Sequence, residues 1–465
     1  MTLTPTTKRL TLFSVALALF MDVLDSNIIN TSIPAISHSL QVDPINLKIA
    51  LISYFLSLAI FIPMSGWVAD KYGTKRIFIA AFGLFIFSSF FCGYAHTLSE
   101  LVIARSVQGI GGAFMISLGR LILAQTFKRH ELVEAMNLVI IVVSVAVMVG
   151  PFIGGFITDH WSWPWIFWVN IPTGLFAILL ATSVLKDTAP RRVRPFDSIG
   201  FILFGGSLAL LCFALSALSE TQVDSKNISI IILIAILMLL LYLVHAKRIA
   251  HPVINMKLFR IRTFRISTSG NLCARLGFGG MPFLLPLLQQ IGLGYSAQIS
   301  GLLLMPIAFG IIFSKLFSLF ILRKTGYRPY LIVNTLIVAV ILCLFLTINA
   351  QTSMITIALM TFIFGIALSA QYTGMNSLAF ADIHEDELSA STTITSTVQV
   401  LAQSLGVAVG AILLRYFSNG GTLSLTVFHH TFLAMAGLTV LSTLIFFSLR
   451  TEDGKQMLTK NVTSS

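Results

Sequence analysis

Fourteen stretches of this chain run for about twenty residues or more with scarcely a charge, the length an α-helix needs to cross a bilayer. They lie at about 11–36, 46–68, 77–96, 99–126, 137–158, 164–185, 199–219, 228–246, 266–291, 297–322, 330–348, 354–380, 391–416 and 430–449. Strands of a membrane barrel would alternate apolar and polar positions over short segments. These runs are continuous and too long for that. The pattern predicts an all-α membrane protein with fourteen transmembrane helices joined mostly by short loops. The longest connections are about 186–198 and 247–265, and both are basic.

Composition agrees. The 465 residues are 56% hydrophobic and 10% charged, with a mean hydropathy of +0.91, whereas soluble domains carry roughly 25% charged residues. The net charge of +12 could suggest a nucleic-acid partner, but its distribution excludes one. With the N-terminus placed in the cytoplasm, the inner loops and tails hold 23 Lys and Arg, from Lys8 to Lys460, and the outer loops hold only Lys48 and Lys226. That bias orients the helices and puts both termini inside. The acidic inner loop ADIHEDELSA (381–390) dissents, but acidic residues weigh little in the rule. The opening TPTTKRL before an apolar run imitates a signal peptide. The run is too long and lacks a small-x-small cleavage site, so it reads as a retained first helix. Four scattered cysteines and nine histidines form no metal-ligand spacing, and no G-x-x-x-x-G-K-[ST] phosphate loop occurs. We expect no metal, no cofactor and no enzyme.

The two basic connections bracket two helices and split the others into two groups of six. SGWVADKYGTKR (65–76) joins the second and third helices, and LFILRKTGYR (319–328) joins the tenth and eleventh. Aligning Gly73 with Gly326 superposes Lys71 on Lys324 and Lys75 on Arg328. Duplicated halves around a midplane site are a transporter architecture. The expected division is 1–188 for an N-terminal six-helix half, 189–262 for a two-helix insert with basic cytoplasmic flanks, and 263–465 for a C-terminal six-helix half with a short tail.

Four stretches carry a family resemblance: LDSNIINTSIP (24–34) in the first helix, GWVADKYGTKR (66–76) after the second, RSVQGIGGA (105–113) in the fourth and GPFIGG (150–155) in the fifth. SWPWIFWVNIPTG (162–174), opening the sixth helix, fits the same pattern. Together they resemble the major facilitator superfamily and, within it, the fourteen-helix drug:proton antiporter family. The likeness spans the chain, and its sharpest motifs lie in the first half. It implies the major facilitator fold, a proton-coupling carboxylate at Asp25 and a part for Arg105 in proton coupling. It also implies a seal at Gly150, Pro151, Gly154 and Gly155 that favours exchange over leak. The resemblance further implies a cytoplasmic latch built on Gly66, Asp70, Gly73 and Arg76. Asp70 has no acidic counterpart in the second half, where Arg323 stands. Asp22 departs from the family's first-helix pattern.

The residues support a reading of their own. Asp22 and Asp25 are three apart and share a helix face. Each ionised carboxylate near the bilayer centre costs about 2.5–3.5 kcal/mol on insertion scales. Burial favours the neutral form and a nearby cation the charged one, so a carboxyl group between these effects can load and release a proton. Asp25 lies about 14 residues into an outward-running helix, hence about 21 Å up at 1.5 Å per residue. Arg105 lies about 6 residues, or about 9 Å, below the outer edge of an inward-running one. In a core about 30 Å thick the two depths coincide, so Arg105 is expected beside Asp25. A structural ion pair would use the same residues. Pro151 removes a backbone donor and bends the fifth helix, and the glycines around it permit close packing whether or not they seal anything. Arg275, about ten residues into the ninth span, is a buried cation that could pair an aspartate or attract an anionic group. Asn30, Gln108, Asn271, Gln289 and Gln290 are further polar candidates for a substrate cavity. Lys315 reads as structural, and Pro282 and Pro286 as bends in the ninth span.

The expected function is proton-coupled export of small amphipathic compounds or drugs by alternating access, with Asp25, Asp22 and Arg105 as the coupling residues. The expected partners are a small-molecule substrate, protons and the lipid bilayer of a bacterial inner membrane, for a protein working as a monomer. Two alternatives stand beside it: an exporter of one cellular metabolite such as a siderophore or amino acid, and a transport-inactive membrane sensor.

Overall fold

The computed structural model describes residues 4–186, 193, 195–218, 225–455 and 457. The expected division at 188/189 and four of the counted inner cations (Arg191, Arg192, Arg194 and Lys460) lie outside the described residues. Among the described residues there is no strand, and fourteen helices are long and apolar enough to cross a membrane. They are α1 (Pro5–Ser39), α2 (Pro44–Tyr72), α3 (Thr74–Gly93), α4 (Leu98–Thr126), α5 (Glu134–His160), α6 (Trp165–Val184) and α7 (Ser198–Ala217). There follow α8 (Lys226–Arg248), α9 (Arg262–Gly292), α10 (Ala297–Ser314), α11 (Tyr327–Thr347), α12 (Met354–Ala379), α13 (Leu388–Ser418) and α14 (Leu425–Phe447).

Local chemistry sets the ends and bends. The Thr4 hydroxyl accepts from the Thr7 amide at 3.2 Å and Pro5 occupies the first helical turn of α1, where a missing N–H is harmless. Thr97 and Ser353 cap α4 and α12 in the same way, accepting from the amides of Glu100 and Thr356 at 3.2 Å each. α1 tightens to a 3₁₀ turn over Ile29–Ser32 just ahead of Pro34. α9 breaks at Gly279–Gly280 and re-forms as Met281–Leu287, with Pro282 in its first turn. It then widens into a π-turn over Leu288–Gly292. Gly73 and Gly326, aligned in sequence, both take a left-handed backbone, with φ of 95° and 80°. Few residues other than glycine tolerate that conformation.

Packing divides the chain into two compact units, one of Met1–Ser198 with Ser296–Met305 and one of Ile199–Tyr295 with Pro306–Ser465. In the first, α4 packs along α2 and α3, and α1 lies on α5. In the second, α9 packs on α13 and α14, and α11 on α14. The opening turns of α10 belong to the first unit and the rest to the second. Most residues in the apolar stretch of α9 are buried, and few in that of α8. α9 is therefore an inner helix of its unit, able to hold polar side chains, while α8 presents leucine and isoleucine to lipid.

Candidate functional site

The polar residues of the first unit gather around α1. Asp22 and Asp25 are 4% and 0% exposed, and Arg105 on α4 is 0% exposed. Arg105 Nη1 donates to Asp25 Oδ2 in a buried ion pair, as the depths of the two residues predict. Asp25 Oδ1 accepts from Gln108 Nε2 at 2.8 Å and from Asn170 Nδ2 at 2.7 Å. Gln108 is held in turn: its Oε1 accepts from Arg105 Nη1 at 2.6 Å, and its Nε2 also donates to the Ser89 hydroxyl at 2.8 Å. The Arg105 guanidinium carbon stands 4.1 Å from the centre of the Tyr54 ring and 5.7 Å from that of Phe167. Its Nε and Nη2 have no hydrogen-bond partner among the described residues, and the two rings attract the cation through their π-faces.

Asp22 has a simpler environment. Its Oδ1 accepts from the Tyr54 hydroxyl at 2.5 Å, and no described residue donates to Oδ2. Tyr54 therefore touches both charged groups, Asp22 through its hydroxyl and Arg105 through its ring. Gly112 on α4 makes this possible. A Cβ there would press on Asp22 Oδ1 and lie 3.0 Å from the Tyr54 hydroxyl.

GPFIGG works by close approach. A Cβ at Gly150 would lie 2.9 Å from Asn27 Cβ. One at Gly154 would run into the Ile28 carbonyl and lie 2.7 Å from Thr31 Oγ1. One at Gly155 would meet the backbone of Ala297 and Gln298, at the start of α10. The motif thus wedges α5 between α1 and the opening turns of α10. The Thr31 hydroxyl donates to the Pro151 carbonyl at 3.0 Å, a contact that ties the kinked segment to α1. Four residues on from Gly155, the Asp159 carboxylate accepts from the Ala297 and Gln298 amides at 3.3 and 2.8 Å. It caps a helix terminus whose amides lack partners and whose dipole favours an anion. Asp159→Ala is expected to loosen this end of α10 by about 0.3–1 kcal/mol. Amide hydrogen exchange at Ala297 and Gln298 checks it, with faster exchange there and none at the distant cap of α12.

The loop motif is more open. Gly66 has free space where a Cβ would be, Asp70 is half-buried and Arg76 exposed. Lys71 lies 4.6 Å from the centre of the Trp67 ring, and Lys75 donates to the Thr182 carbonyl at 2.7 Å. In the second unit Arg275 and Asn271 come together: Arg275 Nε donates to Asn271 Oδ1 at 2.8 Å. Arg275 Nη1 donates to Gln403 Oε1 at 3.0 Å, and the guanidinium lies 4.2 Å from the Tyr372 ring centre. Gln108, expected from the sequence at a substrate cavity, is fully buried beside Asp25 and Arg105. Asn30 is 6% exposed and leans on its own helix through a 3.5 Å bond to the Ser26 carbonyl. Gln289 is fully buried in the π-turn of α9. Lys315 donates to Thr373 at 3.2 Å.

The sequence profile of the Major Facilitator Superfamily matches residues 15–407. The chain belongs to that superfamily. It is 34% identical over 452 residues to "Putative multidrug resistance protein MdtD" of Shigella flexneri serotype 5b (strain 8401), covering 96% of each chain. The protein of the same name in Escherichia coli (strain K12 / DH10B) matches to the same extent. Among solved structures, a bacterial homologue of the human lysosomal transporter Spinster superposes with a TM-score of 0.67 at 14% identity, over 98% of this chain and 99% of that one. A variant of the nucleoside transporter NupG superposes with a TM-score of 0.66 at 12% identity, over 94% and 99%. These superpositions establish the major facilitator fold. The protein is a multi-pass membrane transporter and not an enzyme.

Tyr54, Ser89, Asn170, Tyr372 and Gln403 complete the two polar clusters and were not singled out by the sequence. Each is a polar interruption in an apolar span, which was the available signal. Such interruptions are too common to rank without knowing which helices touch.

Proposed function

We propose that the protein exports small amphipathic compounds by alternating access, driven by inward proton flow, and that Asp22 is the group that takes up the proton. The supporting observation is the unequal bonding of the two aspartates. Asp25 accepts three hydrogen bonds, one from a guanidinium, and both its oxygens are engaged. Asp22 accepts one, from Tyr54, and keeps an oxygen open. Asp25 and Arg105 then form a fixed pair, and Tyr54 connects it to the proton site. Protonating Asp22 removes a negative charge beside Tyr54 and Arg105. That change favours one conformation only through unequal proton affinity in the two states. One charge crossing the field gains about 2.3 kcal/mol per 100 mV, enough for useful accumulation.

The relatives' name supports a drug-like cargo, and the charge bias supports a bacterial inner-membrane protein with both termini cytoplasmic. We take 1–188 and 263–465 as the six-helix halves that alternate, 189–262 as the inserted pair, and the monomer as the working unit.

The test is transport of a substrate panel by reconstituted protein, with and without a pH gradient. Asp22→Asn should still exchange substrate down its own gradient but lose accumulation driven by the pH gradient. Asp25→Asn should lower both. Undiminished pH-driven accumulation by Asp22→Asn would sink the assignment. Absence of any proton flux from wild-type vesicles on adding substrate would favour a transport-inactive sensor.

A further inference from the structure

The second unit contains a buried-span cation with no counter-ion among the described residues. No Asp or Glu occurs in any span from α7 to α14. Arg275 is the one Lys or Arg in those eight spans that lies more than about one helical turn from a span end. An arginine in such a place is costly, and is almost always paired or directed to water. Arg105 of the first unit meets that expectation through Asp25. Arg275 does not. Its partners among the described residues are the Asn271 and Gln403 amide oxygens and the Tyr372 ring, all uncharged.

The arrangement around it is fixed in advance. Gln403 Nε2 donates to the Gly279 carbonyl at 2.7 Å, which turns the other end of the amide, the oxygen, toward Arg275. Asn271, 3% exposed, holds Nε one helical turn below. Tyr372 covers one face of the guanidinium, and its own ring packs on Phe278 with centroids 6.0 Å apart. These contacts leave Nη2 with no partner among the described residues, and the side chain is half-buried. Of the five N–H donors of a guanidinium, a minority is used. The two units thus place an arginine in the same way, over a tyrosine ring at 4.1 and 4.2 Å and against a glutamine oxygen. In the first a carboxylate completes the set. In the second, no described residue fills that position.

We propose that Arg275, with Asn271, Gln403 and Tyr372, binds the anionic group of the transported compound, a carboxylate, sulfonate or phosphate on an organic body that rests against Tyr372. This deepens the exporter reading by naming a substrate class, and rests on that reading but not on proton coupling. A guanidinium edge offers paired donors to any of the three groups. The adjoining aromatic face favours a flat apolar body over a small inorganic ion.

Binding to the purified full-length protein tests it, in nanodiscs of phosphatidylcholine alone so that no anionic lipid competes. The probes are tritiated 1-naphthoate, 1-naphthalenesulfonate and 1-naphthyl phosphate, with 1-naphthylmethylammonium as a cation of matched size. At least one anion should bind saturably and more tightly than the cation. Arg275→Gln should weaken that anion by about tenfold or more, and Arg275→Lys by less. A second measurement needs no variant: the bound anion, and not the cation, should protect Arg275 of the wild type from phenylglyoxal, read by peptide mass spectrometry. No saturable anion binding, equal binding by Arg275→Gln, or modification of Arg275 unaffected by the anion would each overturn the proposal. None of these measurements uses a gradient, so a failure of proton coupling leaves them intact.

Discussion

Arg105→Ala is expected to abolish pH-gradient-driven transport and to lower the thermal midpoint of the purified protein more than the loss of any other side chain at the site. Arg105 is fully buried, and its Nη1 serves both Asp25 and Gln108. Removing it leaves Asp25 as a carboxylate with two amide donors and no counter-charge. It also uncovers the Tyr54 face that the guanidinium occupied. Breaking one side of a buried ion pair costs about 3–5 kcal/mol, because the surviving charge is stranded. Arg105→Lys keeps the charge but not the planar group stacked between Tyr54 and Phe167. It should retain more stability than alanine while still losing most coupled transport. The double variant Asp25→Asn with Arg105→Gln strands no charge. It should regain much of the stability and none of the coupling. Equal thermal midpoints for wild type and Arg105→Ala would show that the pair is not structural, and undiminished coupled transport by the alanine variant that it is not functional.

That prediction draws on a contact whose level in the membrane was legible from the chain. Counting residues from the span ends put Asp25 and Arg105 at one depth, and they are paired. The count works because helix rise is constant and span ends are marked by charges. Azimuth is not so marked. α2 is apolar almost all round, so nothing in its pattern says that Tyr54 points at Asp22. Likewise Gln403 and Tyr372 lie about a hundred residues or more from Arg275 in the chain, and meet it only because α9 packs against α12 and α13. Gln108 shows the same limit from the other side. Its polarity was evident, but its place beside Asp25 depends on four helices meeting. The break in α9 was readable as a bend from Pro282 and Pro286. The structure locates it at Gly279–Gly280, with Pro282 starting the next segment, where proline is best tolerated.

The contact between α5 and α10 was also invisible in sequence, and it sets the second large effect. Gly155→Val should abolish coupled transport and let protons leak. A Cβ at residue 155 would lie 2.5 Å from the Ala297 carbonyl carbon and 2.8 Å from Gln298 Cα. Both are backbone atoms, so no side chain can rotate away. Either α10 shifts outward at its first turn, or α5 does, at an overpacking cost of about 1–3 kcal/mol. Separation of those turns would also pull Asp159 from the two amides it caps. If the wedge is a seal, the variant should dissipate a pH gradient in vesicles without substrate, faster than wild type. If it is only packing, stability falls and the vesicles stay tight. Gly83→Ala supplies the control, since nothing lies within 4 Å of a Cβ there and transport should be unchanged. A Gly155→Val protein that transports normally and holds its gradient would rule out both readings of the motif.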